Sequence, residues 1–264
     1  MNPKNWSVDY DQIAATYNKR YERNQYAEVE KTLLQFVAGQ EGLQILEVGC
    51  GTGHWLEVLH KRGHHAVGLD LSAQMLRQAR SLLPDAALIR GRAEHLPFPA
   101  EMFDRVFCIN AIHHFIDKPT FLKEARRLLR PGGKMLTVGL DPHAGIDQWY
   151  IYDYFPESIE IDRQRYPASS SLQEGMRQAG FETSTTVEVE HWVILLPARE
   201  ILKQGRLART ATSQLSVLTD EQYQRGLQRI YAEIKGAEEK RESLTLATNL
   251  RLYATTGSIS EQVG

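Results

Sequence analysis

Apolar residues recur along this chain in two periods, and the switches between them mark out alternating strands and helices. Residues 8–38 carry a helical pattern, with Val29, Leu33, Leu34 and Val37 on one face before a stop at Gly39. Residues 45–48 form a short apolar run that ends in glycines, and residues 54–62 then place Trp55, Leu56 and Leu59 on one helical face. The unit repeats. Residues 66–69 predict a strand ending at Asp70, Ser72 suits an N-cap, and Met75, Leu76, Ala79, Leu82 and Leu83 form a stripe that stops at Pro84. Further strands are predicted at 86–89, 106–109 and 134–139. A helix bearing Phe121, Leu122, Ala125, Leu128 and Leu129 precedes the last of them, with Pro119 in its first turn and Pro131-Gly132-Gly133 after it.

Beyond Leu140 the pattern changes. Residues 141–168 show no amphipathic helix and hold the aromatic run from Trp149 to Phe155, which predicts an inserted loop. Leu172, Met176 and Ala179 restore a helix that ends at Gly180. Alternation from Phe181 to Val193, and again from Leu244 to Ala254, predicts two closing strands. The charged, helix-favouring residues 197–242 between them predict a helical cap. The expected fold class is therefore α/β: a doubly wound, mostly parallel seven-stranded sheet, with an antiparallel last strand and a helical cap between the last two strands. One domain, 1–264, would comprise a helical lid (1–40), a core (41–140), the inserted loop (141–168), the end of the sheet (169–196 and 243–256) and the cap (197–242).

Composition adds exclusions. A net charge of −2 over 264 residues leaves no basic face for nucleic acid. Cys50 and Cys108 lack metal or disulfide spacing, which suits a reducing cytoplasm and predicts no metal. The start, Met1 to Trp6, has no apolar core, and no later stretch is long enough to span a membrane. Nothing in the pattern indicates an oligomer.

The chemistry gathers at Glu47-Val48-Gly49-Cys50-Gly51-Thr52-Gly53. A strand ending in Gly-x-Gly-x-Gly brings backbone N–H groups and a helix N-terminus up to a ligand. Dinucleotide turns space their glycines Gly-x-Gly-x-x-Gly around a pyrophosphate; here the third glycine comes one residue early and Glu47 precedes the turn. That acid would repel a pyrophosphate and suits an ammonium. Asp70, ending the second strand, can accept from both hydroxyls of a ribose. A surface ion pair for Glu47 and a capping turn for Asp70 are the ordinary alternatives, and their joint spacing favours a nucleoside joined to an amino acid.

The run Leu46 to Gly53 resembles the first motif of class I S-adenosylmethionine-dependent methyltransferases. The similarity continues through Gly68-Leu69-Asp70-Leu71-Ser72, Gly91-Arg92-Ala93-Glu94-His95-Leu96-Pro97-Phe98, Phe103-Asp104-Arg105-Val106 and Leu129-Arg130-Pro131-Gly132-Gly133. It covers residues 8–140 well and lies nearest the small-molecule branch that includes ubiquinone and menaquinone biosynthesis enzymes.

The resemblance implies S-adenosyl-L-methionine as cofactor, S-adenosyl-L-homocysteine as product and a small-molecule acceptor. It implies that Gly49, Cys50, Gly51 and Gly53 hold the methionine moiety, with Asn110 beside it, and that Asp70 binds the ribose. Leu71 and Met75 would sandwich the adenine, and Ala93 N–H would meet its ring. Arg92 departs from the usual Asp, so Glu94 or a carbonyl takes over the adenine amino group. Tyr17, with Tyr10 and Tyr21 as competitors, would reach the carboxylate. For a hydroxyl acceptor, His114 or His113 is the candidate base, with Asp141 and His143 behind them. Two other readings stay open: a non-catalytic module that binds S-adenosylmethionine, and an NAD(P)-dependent oxidoreductase on a similar fold.

Overall fold

The computed structural model describes residues 8–18, 20–21 and 26–261. The polar start at residues 1–6 lies outside them. The described residues divide into two compact units, one drawn from 9–140, 169–190 and 252–261, the other from residue 8, 141–168 and 191–251.

The larger unit carries the parallel sheet. β1 (Gln44–Val48), β2 (His65–Asp70), β3 (Ala87–Arg90), β4 (Phe103–Ile109) and β5 (Leu129–Gly139) run parallel in the order β3-β2-β1-β4-β5. Helices His54–His60, Ala73–Leu82 and Lys118–Leu128 connect them. Strands covered on both faces need apolar side chains in both directions, which is why β1 and β4 read as continuous runs. Ile45, Leu46, Val48, Val106, Phe107 and Cys108 are fully buried. Ser72 Oγ accepts the Met75 N–H at 3.1 Å and Asp117 Oδ1 the Thr120 N–H at 3.0 Å, so both helix starts are capped by their own sequence. β8 (Thr245–Ser258) closes this sheet antiparallel to β5, from Lys134↔Ser258 to Gly139↔Tyr253. The order reverses direction between β1 and β4, the place where open α/β sheets leave a crevice at the strand carboxyl ends.

Within the helical stretch 8–38, the described residues include helices Tyr10–Tyr17 and Ala27–Phe36. The residues that anchor the second, Val29 and Leu33, are fully buried.

The second unit corrects two expectations. Residues 141–168 are not a loop: they contain β6 (Gln148–Trp149) and helices Tyr150–Tyr154 and Glu157–Arg165. Helix Glu157–Arg165 escapes an amphipathic reading because charged residues occupy its inner face. Asp162 is fully buried and accepts from Gln214 Nε2 at 2.8 Å, Tyr152 OH at 2.9 Å and Arg165 Nη1 at 3.3 Å. β6 pairs antiparallel with β8 through Gln148↔Asn249 and Trp149↔Thr248, which makes eight strands rather than seven. β7 (Thr183–Pro197) also pairs with β8. Between these two strands stand helices Ala198–Lys203, Ser213–Ser216 and Asp220–Glu239, the last opened by a reciprocal Thr219–Gln222 capping box. Among the described residues no helix is long and apolar enough to cross a membrane.

Candidate active site

At the end of β1 the chain turns through three glycines with positive φ, +78° at Gly49, +53° at Gly51 and +83° at Gly53. Two of these positions also exclude a side chain: a Cβ on Gly49 would lie 2.5 Å from Ala111 Cβ, and one on Gly53 3.1 Å from Ala79 Cβ. Gly49 and Cys50 donate to Leu69 O at 2.7 and 3.0 Å, which ties the turn to the end of β2. Asp70 is tied from the other side: its Oδ2 accepts the Gly51 N–H and its Oδ1 the Ser72 N–H, both at 2.8 Å. Burial pushes the Asp70 carboxyl up, against the pull of those N–H groups.

Glu47 is 1% exposed, and its Oε2 has no hydrogen-bond partner among the described residues. Burial, then the neighbouring Asp70, push its carboxyl well above the usual carboxylate range. A buried carboxyl with an unmet acceptor is a costly feature that a core replacement would remove. Both cysteine thiols are buried and pushed up, so neither is a thiolate nucleophile.

After β4, Asn110 takes a left-handed φ of +53° and donates its N–H to Val138 O at 2.8 Å. A single turn of 3-10 helix, Ile112–His114, follows. The His113 and His114 rings lie 3.9 Å apart, and His114 Nε2 is hydrogen-bonded to the Tyr10 hydroxyl. The carboxyl ends of parallel strands share one edge. Following the strand order, that edge presents Arg92-Ala93-Glu94 after β3, Asp70 on β2, the glycine turn after β1, and Asn110 to His114 after β4.

Along this edge Leu71 is 55% exposed, whereas Met75 is closed into the core at 1%. Ala93 is buried. Glu94 is already occupied: Oε1 accepts the Ile116 and Asp117 N–H groups at 2.7 and 3.3 Å, and Oε2 stands 3.6 Å from Arg92 Nε. Asp141 and His143 belong to the second unit, where Asp141 Oδ1 accepts the His143 N–H at 3.0 Å and His143 Nε2 meets Tyr166 O at 3.0 Å.

The helix Tyr10–Tyr17 comes to the same edge. The Asp11 carboxylate accepts from Ser72 Oγ and, at 3.1 Å, from Gln74 N–H, and Thr52 Oγ1 donates to Asn18 Oδ1. A Cβ on Gly51 would stand 3.7 Å from the Tyr17 ring. Sequence reasoning singled out Tyr17 and missed Arg20, three residues on. The Arg20 guanidinium lies 4.8 Å from the Tyr17 ring centroid and 5.9 Å from those of Tyr21 and Tyr26, and donates to the Tyr17 and Tyr26 hydroxyls. Among the described residues no cluster of His, Cys, Asp and Glu could hold a metal.

A family model described as a methyltransferase domain matches residues 46–137. The phthiotriol/phenolphthiotriol dimycocerosates methyltransferase of Mycobacterium leprae is 40% identical over 114 residues, 42% of each chain. The matches to curated relatives span about half of those proteins or less, 37% to 52% among the first three. A methyltransferase from an Anabaena variabilis antibiotic biosynthesis pathway superposes with a TM-score of 0.63 at 22% identity, over 86% of this chain and 96% of that one. Phosphoethanolamine N-methyltransferase 2 of Haemonchus contortus, solved with phosphomonomethylethanolamine and S-adenosylhomocysteine, gives 0.61 at 18%, over 95% and 58%. Residues 46–137 thus match the methyltransferase-domain model, and the sheet that carries them has the fold of solved methyltransferases.

Proposed function

We propose that this chain binds S-adenosyl-L-methionine and moves its methyl group to a small-molecule acceptor, releasing S-adenosyl-L-homocysteine. One observation carries the donor assignment: Glu47, buried beside the glycine turn with an acceptor oxygen unmet among the described residues, a place suited to a hydrogen-bond donor such as an ammonium. The residues present fit the donor. Glu47 would accept from the α-ammonium and Asp70 from the ribose hydroxyls. Gly49, Cys50, Gly51 and Gly53 would offer backbone along the amino-acid chain beside Asn110, and Leu71 with the Ala93 backbone would meet the base, while Met75, 1% exposed, stays in the core. Because Glu94 is spent on the Ile116 and Asp117 N–H groups, we assign the adenine amino group to a backbone carbonyl of the 92–94 segment. A pyrophosphate in this turn would face the Glu47 carboxyl, which disfavours a dinucleotide.

When bound, the donor supplies a methyl group already made electrophilic by its sulfonium, so the protein's task is alignment more than acid catalysis. The Tyr10 hydroxyl fixes the His114 ring, and we assign His114, ahead of His113, as the base for an acceptor that must lose a proton. The buried, free Cys50 and Cys108 are in keeping with a reducing cytoplasm.

Calorimetry with S-adenosylhomocysteine and with NAD tests the donor. Tight binding of the first and none of the second is expected, and the reverse overturns the proposal. Turnover of methyl-labelled donor against a panel of hydroxyl, amine and acid acceptors then separates an enzyme from a binding module.

A further inference from the structure

Glu94 belongs by sequence to the segment that would receive the base, and it spends its carboxylate on a different stretch of chain. Its side chain is 11% exposed. One oxygen, Oε1, accepts the N–H groups of both Ile116 and Asp117, at 2.7 and 3.3 Å, and the other stands 3.6 Å from Arg92 Nε. Those two N–H groups lie just beyond the 3-10 turn that carries His113 and His114. The near end of that turn is held by the sheet and the glycine turn: Asn110 N–H donates to Val138 O at 2.8 Å, and a Cβ on Gly49 would meet Ala111 Cβ at 2.5 Å and the Phe115 ring at 3.8 Å. Its far end is fastened by Glu94. Residues 96–98 have a separate anchor on the helix Lys118–Leu128: Arg127 donates to Leu96 O at 3.1 Å and to Phe98 O at 2.8 Å, and Glu124 accepts the Leu96 N–H at 3.2 Å. The segment is thus pinned to that helix without Glu94, whose contact has another consequence. It holds the base segment in register with the histidine turn.

We infer that Glu94 is a positioning residue that couples the segment receiving the donor's base to the turn carrying His114, so that filling the base edge also orders the turn. The inference rests on the donor function proposed above and gives Glu94 a role other than touching the base. Ala93, whose backbone meets the base in that reading, is the chain neighbour of Glu94, so a ligand that immobilises one restrains the other. A carboxylate oxygen shared by two backbone N–H groups is a charge-assisted contact, and it carries the restraint on to Ile116 and Asp117. Arg92 stands beside this path, where its guanidinium balances the Glu94 charge. A nucleoside that fills only the base and ribose positions would therefore change the surroundings of His114 from a distance.

Adenosine is the probe, since it has the base and ribose and lacks the sulfur and the amino-acid end. Calorimetry on the full chain measures its binding; NMR reads the His114 ring resonances and the hydrogen exchange of the Ile116 and Asp117 amides. In the wild type, adenosine at about 10 times its Kd is expected to shift the His114 resonances and to slow both amides by up to about 10-fold. Glu94→Ala should keep the adenosine affinity within about 3-fold and lose both responses. Glu94→Gln should keep most of them, because an amide oxygen still accepts the two N–H groups. Ile116→Pro breaks the same contact from the other side by removing the closer N–H, after a residue, Phe115, whose ψ of 134° suits a following proline. It should match Glu94→Ala. Loss of adenosine binding by about 10-fold or more in Glu94→Ala makes Glu94 a base ligand. An unchanged His114 response in that variant means that the turn is set without Glu94, and no response in the wild type means that segment and turn are uncoupled; each of these results overturns the inference. Wild-type protein that binds neither adenosine nor S-adenosylhomocysteine overturns the donor function itself, which keeps the two failures apart.

Discussion

A carboxyl such as Glu47 is stable in the interior only while it keeps its proton, and the ligand proposed for it demands the opposite. Its folded value lies well above the ordinary 4.5 because burial and then Asp70 oppose ionisation. The unfolded chain therefore gives up this proton at a lower pH than the native one. Stability that is fully present below about pH 4.5 is lost as pH climbs toward the folded value. Glu47→Gln cannot ionise and lacks this slope. Urea denaturation between pH 4 and 8 should show the stability difference moving steadily in the variant's favour above about pH 4.5; parallel curves would mean that Glu47 is not pushed up. The same variant should bind S-adenosylhomocysteine about 10- to 100-fold more weakly, since a neutral amide replaces a charge-assisted acceptor. Stability and binding then move in opposite directions, as expected where a functional group is retained against the interest of the fold.

Within single elements, packing decides cases that propensity alone gets wrong. Helix Asp220–Glu239 contains two glycines, and replacing a helical glycine by alanine should stabilise by about 1 kcal/mol. At Gly236 nothing lies within 4 Å of the added Cβ, so Gly236→Ala should gain about 0.5–1 kcal/mol. At Gly226 the Cβ would fall 2.0 Å from Phe155 Cδ1, and that ring cannot withdraw easily because it stacks on Tyr223 at 6.0 Å. Gly226→Ala should therefore lose about 1–3 kcal/mol despite the better propensity. Urea midpoints of the two variants should shift in opposite directions, and two shifts of the same sign would contradict the Phe155 contact. The same competition explains what could be read from the sequence. β1, β2 and the helix after Ser72 are legible because their apolar periods and caps agree. Helix Glu157–Arg165 is not legible, because Asp162 and Arg165 are buried as a pair and a polarity pattern assigns both to the surface. β6 is two residues long and has no period to read.

For the molecule as a whole, strand order turns residues far apart in sequence into neighbours along one edge. Glu47, Asp70, Arg92 and Asn110 fall into that order from their strand assignments alone, which is why most of the candidate site is legible without coordinates. Arg20 is not, since its place depends on a tyrosine cluster that no period reveals, and neither is the occupation of Glu94, which depends on the 3-10 turn after β4. If the donor lies along the carboxyl edge, its effect on local opening should follow the same order. A ligand at 100 times its Kd stabilises the native state by about 2.7 kcal/mol, enough to slow exchange about 100-fold where opening requires its release. Amide hydrogen exchange with and without S-adenosylhomocysteine should show the strongest slowing at residues 47–53, 70–75, 92–95 and 110–114. Weaker slowing is expected over Tyr10–Tyr17, which Asp11 and Tyr10 tie to that edge. The amino ends of the same strands, at Gln44, His65 and Phe103, should change least. Slowing centred on those amino ends would place the ligand on the opposite edge and remove Glu47 and Asp70 from its site together, since no rotation of the ligand within the carboxyl-end crevice could protect the far ends of β1, β2 and β4 while sparing the turn between them.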